Sequence, residues 1–253
     1  MLFPIRDYNP TRRFSYLTIL IIVLNVMVFA YQNFLAPQPA AYYVYSSSLI
    51  PWEITHWRSA VVPVVDEMGT AVASFNRHIS PPLSLISSLF MHGSLMHLIG
   101  NMLFLWIFGN NIEDRLGRLR FLLFYFAAGI GASLIHVLFN PGSLIPVIGA
   151  SGAISGVMGA YLILYPQARI RTLVFLFIFV TFIDIPAAVF LIVWFLFQFL
   201  YVGGGAGIAW LAHVGGFLLG MALVMILGGP KKLLPEAATP AIGPDEGSGG
   251  NHV

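Results

Sequence analysis

GASGAISG, residues 149–156, opens one apolar stretch of this chain, and AWLAHVGGFLLG, residues 209–220, opens another. Each carries one polar side chain near its start, Ser151 or His213, followed by spaced glycines. Gly152 and Gly156 lie four apart, as do Gly216 and Gly220, so each pair forms one small helix face, and Gly149 flanks Ser151 from the other side. Such faces let two helices meet backbone to backbone. His213 lies three residues before Gly216 and seven before Gly220, so its side chain shares their face and points at a neighbouring helix rather than at lipid. A tight pair of these two helices puts an imidazole within hydrogen-bond reach of a hydroxyl, the arrangement that activates a serine nucleophile. A helix that starts at Ser151 also leaves unpaired backbone N–H groups around it, a ready site for a developing oxyanion. Taken singly, Ser151 reads better as an ordinary N-cap serine.

The rest of the chain says what solvent these helices meet. Of 253 residues, 58% are hydrophobic and only 9% charged, against about 25% charged in soluble domains. This is the composition of a membrane protein. With no cysteine, a disulfide framework, a thiol nucleophile and a cysteine metal site are all excluded. The formal charge of +2 is scattered in ones, twos and threes, so no basic stripe for nucleic acid exists. Crossing the hydrocarbon core takes about 20 helical residues. Six apolar segments qualify or approach this: Leu17–Ala36, about Leu95–Phe108, Phe121–Phe139, a short one at Ser151–Tyr165, one near Ala187–Leu200, and about Ala209–Leu227. The expected fold class is therefore all-α, a polytopic bundle of six transmembrane helices over residues 17–228. Before it stands a short cytoplasmic N-terminus, 1–16; after it, from 229 to 253, a Pro-, Gly- and acid-rich tail reads as disordered. Residues 37–84 form a long external or interfacial loop whose Tyr42, Tyr43, Tyr45, Trp52 and Trp57 favour the headgroup region and short helices there. Leu173–Ile183 is read as an interfacial or partly buried segment, or as the start of a long, tilted and kinked helix.

Charge placement orients the bundle. With the N-terminus inside, Arg6, Arg12, Arg13, Arg115, Arg118, Arg120, Arg169, Arg171, Lys231 and Lys232 all fall on the inner side, ten of the twelve basic residues. Only Arg58 and Arg77 lie outside. Both termini are then cytoplasmic, and Ser151 and His213 share one depth near the outer side. His97 and Asn101, four apart in HLIGN, reach the same level on one face of the second span. Ionisable and polar residues in lipid are costly and mark function by default, although this pair reads equally as polar glue between helices.

These features together resemble the rhomboid family of intramembrane serine proteases. The matching stretches are HGSLMHLIGNMLFLWIFG (His92–Gly109), NIEDRLG (Asn111–Gly117), GASG (Gly149–Gly152) and AHVGGFLLG (Ala212–Gly220), in the family's order over about residues 15–228. The resemblance implies Ser151 as nucleophile and His213 as base, a dyad without an acidic third member. It implies an oxyanion hole formed by the Ser151 backbone N–H with Asn101 and His97, and structural roles for Glu113 and Arg115. It implies membrane-spanning protein substrates with helix-weakening residues, cleaved within a lipid environment, and no cofactor or metal. Trp57–Arg58 resembles the family's loop element. Gly203, Gly204, Gly205 and Gly207, with the fifth helix, are candidates for a mobile gate. A prokaryotic plasma membrane is the expected location. Three other readings compete: a rhomboid-like protein that binds clients without cutting them, a transporter, and a membrane metalloprotease. Intact Ser151 and His213 argue against the first. The second lacks an inverted repeat and has few buried acids. The third lacks HExxH, and His92 and His97 are five apart.

Overall fold

The fold is taken from a computed structural model of the chain, which describes residues 2–35, 40–59, 61–65, 71–76, 79–176, 179–201 and 209–230. Among the described residues, three helical stretches are long and apolar enough to cross a membrane. The first is α1 (Tyr16–Ala30), continued by a π-helical turn to Leu35. The second joins α5 (Leu95–Phe104), a π-helical turn (Leu105–Gly109) and α6 (Asn110–Leu116) into 22 residues. The third is α7 (Arg118–Phe139). Three more apolar helices are shorter: α8 (Ser151–Leu164), α9 (Ala187–Phe197), which a 3-10 turn extends to Tyr201, and α10 (Trp210–Ile226). Each of the six expected segments thus has its apolar helix. The second runs past its expected end at Phe108 to Leu116, so Glu113 and Arg115 ride on the helix itself.

Lipid-facing and protein-facing helices differ in burial. On α1 and α7 large apolar side chains such as Val23, Met27, Leu119, Leu123 and Leu138 are exposed. By contrast every residue of α8 from Gly152 to Tyr161 is buried. Its 14 residues span about 21 Å at 1.5 Å per residue, less than a hydrocarbon core. A helix that short is tolerated because neighbouring helices, rather than lipid, surround it. At its glycines the contact with α10 is backbone against backbone. A methyl group on Gly216 would strike the carbonyl oxygen of Gly152, and one on Gly220 the carbonyl oxygen of Gly156. On another side Ala128 and Ala132 of α7 close over Gly156 and Gly152.

The membrane bundle is helical as expected, but two small sheets accompany it. Strand β1 (Leu2–Asp7) pairs antiparallel with β4 (Arg169–Leu176), which pairs with β5 (Phe179–Pro186). Of the readings given for Leu173–Ile183, the start of a kinked helix is corrected: its described residues lie in the paired strands β4 and β5 and are partly buried. The residue pattern explains why: Ile170, Thr172 and Val174 are buried while Arg169, Arg171 and Leu173, alternating with them, are more exposed, the period of two of a strand. Pro186 ends the hairpin, and α9 starts at once, with the N–H groups of Ala187 and Ala188 bonded to the carbonyls of Ala168 and Pro166 at 2.7 and 2.9 Å.

The long first loop carries α2 (Ala40–Ser47), α3 (Pro51–His56), a hairpin of β2 (Val61–Val65) and β3 (Ala71–Asn76), and α4 (Pro81–Ser87). It is stitched to the loop between α7 and α8. Leu49 and Val147 exchange backbone bonds of 3.0 and 2.7 Å, Trp52 N–H donates to Ser143 O, and the Thr55 hydroxyl donates to Pro141 O. Trp57 ends α3 in the left-handed conformation, exposed, while Trp52 stacks on His56. The glycines at 203–205 and 207, Lys231, Lys232 and the tail lie outside the described residues.

Candidate functional site

Ser151 is the first residue of α8, not its cap; the cap position is Ala150, whose carbonyl accepts the first intrahelical bond, from Ile154 N–H at 3.0 Å. The amides of Ser151, Gly152 and Ala153 precede that bond and have no acceptor within the helix. Gly149 sets up this start. Its φ of +110° belongs to the region that glycine alone enters freely. A Cβ there would also sit 2.8 Å from the His97 ring and 3.5 Å from Asn101 Nδ2. The turn before Ser151 therefore lies directly against both side chains.

His213 stands in the first turn of α10, and the glycine contact brings it to Ser151: Nε2 is 2.8 Å from Ser151 Oγ. The other ring nitrogen, Nδ1, lies 2.8 Å from Gln198 Oε1, in the 3-10 turn after α9. On the opposite wall, Ser94 caps α5 by accepting from His97 N–H at 3.2 Å, and this helix carries His97 and Asn101 inward. Asn101 Nδ2 is 2.9 Å from Nε2 of His92, whose ring is fully buried and meets the His97 ring edge to face at 5.0 Å. The carbonyl of His92 is held by Gln32 Nε2 at 2.9 Å. Asn101 has two amide protons; with one on His92, the second is left for a ligand. Among the described residues no group of three His, Asp or Glu side chains has the arrangement of a metal site.

Two cavities meet at this point. One, about 280 Å³, opens between α5, α8 and α9 and is lined by Asn101, Phe104, Met158, Trp194 and Gln198. The other, about 540 Å³, lies under the loop before α8 and is lined by Ser94, Ile145, Pro146, Ile148 and Ala209. Ser151, His97 and His213 border both. The site so built is a hydroxyl bonded to an imidazole, beside unpaired helix amides and a side-chain amide, with access from two directions.

Of the residues singled out from sequence, Ser151, His213, His97, Asn101 and Gly149 converge here. Gly152, Gly156, Gly216 and Gly220 form the contact behind them. Glu113 and Arg115 lie elsewhere, at the other end of the bundle. Glu113 is buried and accepts from Leu17 N–H (3.0 Å), Thr18 N–H (2.7 Å) and the Thr18 hydroxyl (2.8 Å), capping α1 from another helix; Arg115 Nε donates to the Tyr165 hydroxyl at 3.1 Å. Two site residues were not anticipated, Gln198 and His92. Both carry the signal that exposed His97, a polar side chain within an apolar run, in FLFQFLY and SLFMHGS.

The Rhomboid domain model matches residues 81–230. The chain is 31% identical over 153 residues to "Rhomboid protein 1, mitochondrial" of Saccharomyces cerevisiae, covering 57% of this chain and 41% of that protein. It is 34% identical over 150 residues to "RHOMBOID-like protein 6, mitochondrial" of Arabidopsis thaliana, covering 56% and 43%. Over 78 residues it is 44% identical to "Rhomboid protease GluP" of Bacillus subtilis, covering 31% and 15%. The matched stretch thus spans about two fifths of the first two relatives.

Proposed function

Because the chain belongs to the rhomboid family of polytopic membrane proteins, we propose that it is an intramembrane serine endopeptidase, with Ser151 as nucleophile and His213 as general base. The observation that carries this is the 2.8 Å contact between Ser151 Oγ and His213 Nε2 at the junction of two cavities. In the reaction, His213 Nε2 takes the hydroxyl proton as Oγ attacks a substrate carbonyl carbon. The tetrahedral oxyanion is received by the Ser151 amide with Asn101 and His97. Donors of this type are worth about 3 kcal/mol each in a water-poor site. The intermediate collapses, the amine leaves with the proton from His213, and the acyl group remains on Ser151. Water then attacks that ester, with the same imidazole as its base, and restores the hydroxyl.

The two cavities suit the two reactants. The one between α5, α8 and α9, with Phe104, Ile154, Met158 and Trp194 in its wall, is assigned to the membrane segment, and the one under the loop before α8 to water. A helical substrate hides its peptide bonds, so the segments cut are those that unwind readily near one end; membership of the family points to helix-weakening residues such as glycine there. The charge distribution supports six crossings with both termini on the cytoplasmic side and Ser151 toward the other.

The test is cleavage of a model transmembrane substrate in liposomes by the intact chain and by Ser151→Ala. Cleavage should fall by at least about 10³-fold in the variant. Equal cleavage by both, or none by the intact chain across a varied substrate set, sinks the proposal and favours the client-binding reading.

A further inference from the structure

Gln198 is the polar residue that the dyad chemistry leaves without a role. It is 5% exposed, in an otherwise apolar stretch, and has no reason to be buried there unless both ends of its amide are satisfied. Both are. Nε2 lies 3.0 Å from the carbonyl oxygen of Trp194, one turn back, and that acceptor requires a donor, so the NH₂ end is fixed there. The oxygen end therefore faces His213, with Oε1 2.8 Å from Nδ1. A carboxamide oxygen only accepts. Nδ1 must carry a proton, and in the neutral imidazole Nε2 is then bare. That bare nitrogen is the one 2.8 Å from Ser151 Oγ, so the hydroxyl donates to it. The chain of donors from Ser151 through His213 to Gln198 and the Trp194 carbonyl thus runs in one direction only.

We propose that Gln198 is a positioning residue that selects the tautomer of His213 and fixes its ring plane for the Ser151 reaction; the proposal rests on the protease reading above. It does the orienting work that a buried carboxylate does in three-membered sites. A neutral amide brings no second charge into the apolar surroundings, so its burial avoids the desolvation cost of an ion. The Trp194 ring, 6.2 Å from the imidazole and stacked on Phe217, limits how far the ring can swing once the amide holds Nδ1.

The experiment compares the full chain, Ser151→Ala, Gln198→Leu and Gln198→Glu in the liposome cleavage assay. In parallel, ¹⁵N-histidine spectra report the tautomer of His213, assigned by its loss in His213→Asn. Gln198→Leu keeps the volume and removes the acceptor. It should lower kcat on the order of 10–100-fold with KM within about twofold, and should convert His213 from the pure Nδ1–H form to a mixture. Gln198→Glu keeps an acceptor oxygen and should recover most of the rate and the Nδ1–H form. Cleavage abolished in Ser151→Ala but untouched in Gln198→Leu, or a Leu variant whose His213 tautomer is unchanged, overturns the role of Gln198 and leaves the protease reading standing. Equal loss of kcat in the Leu and Glu variants with the tautomer unaltered does the same, since it marks a packing effect. Cleavage that persists in Ser151→Ala overturns the protease reading and this proposal together.

Discussion

The two ends of α8 are held by opposite means. At the Ser151 end, contact with α7 and α10 runs through glycine and alanine, backbone against backbone, and the polar groups present face cavities. At the Tyr165 end the polar groups are turned on one another. Asp7 Oδ2 accepts from both the Tyr161 hydroxyl and Asn111 Nδ2 at 2.7 Å, Arg115 reaches the Tyr165 hydroxyl, and Glu113 takes three donors from α1. One end keeps donors in reserve for a ligand; the other spends its donors on the fold. On the proposed protease reading the chain must admit water to its site without loosening its bundle, and this division separates the two demands along a single helix.

The sharpest way to break the contrast is at the glycine contact. Gly220→Val pushes Cβ and two methyls into the Gly156 carbonyl, which is backbone and cannot yield. It should cost at least about 3 kcal/mol of stability and, in whatever fraction stays folded, separate Ser151 from His213. Thermal unfolding in detergent, together with cleavage per folded molecule, measures both. A variant that folds and cuts normally would mean that packing there is looser than the backbone approach implies.

The polar end gives the next largest effect. Glu113→Ala leaves two amides and a buried hydroxyl of α1 without an acceptor and should destabilise by about 3 kcal/mol. Its kcat below the unfolding transition should match that of the intact chain. A lowered kcat with unchanged stability would show that the ends are coupled and the division is false.

The smallest effect concerns Asp7. Burial pushes its carboxyl above the ordinary 3.8, against the opposing hydrogen bonds from Tyr161 and Asn111. A raised folded-state pKa means the folded chain binds the proton more tightly than the unfolded one. Its contribution is therefore fully present below the unfolded value and is lost as pH rises through the folded value. Asp7→Asn keeps an acceptor oxygen and removes the buried charge. At neutral pH it should be neutral or stabilising by up to about 1 kcal/mol, an advantage that shrinks on acidification from above the folded value to below 3.8. Melting temperatures of both proteins across that range give the sign; an advantage that grows in acid would contradict it.

The Ser151 end was far more legible in the sequence than the Tyr165 end, and the reason is spacing. Ser151, His213 and their glycines obey the helix repeat, so two short stretches already place them on facing surfaces. Glu113 meets Thr18, and Asp7 meets Tyr161, across 95 and 154 residues. No local periodicity connects such partners. The strand β4 carried a period of two in Arg169–Val174, but it is brief and runs on into an apolar stretch that suits a helix equally well. Gln198 was overlooked because its partner is 15 residues away on a separate helix, where the helix repeat has no bearing on contact.

The bare contact between α8 and α10 also acts as a ruler. With no side chain interposed at its glycines, the separation of Ser151 and His213 is set by two backbones, and only the serine χ1 and the histidine χ1 and χ2 remain as joints. Rotamer hopping among the lipid-facing residues of α10, such as half-exposed Leu218 and Met225, has no lever on that distance. The lipid around the bundle can differ in chain length or order, and the gap between the hydroxyl and the imidazole stays the same.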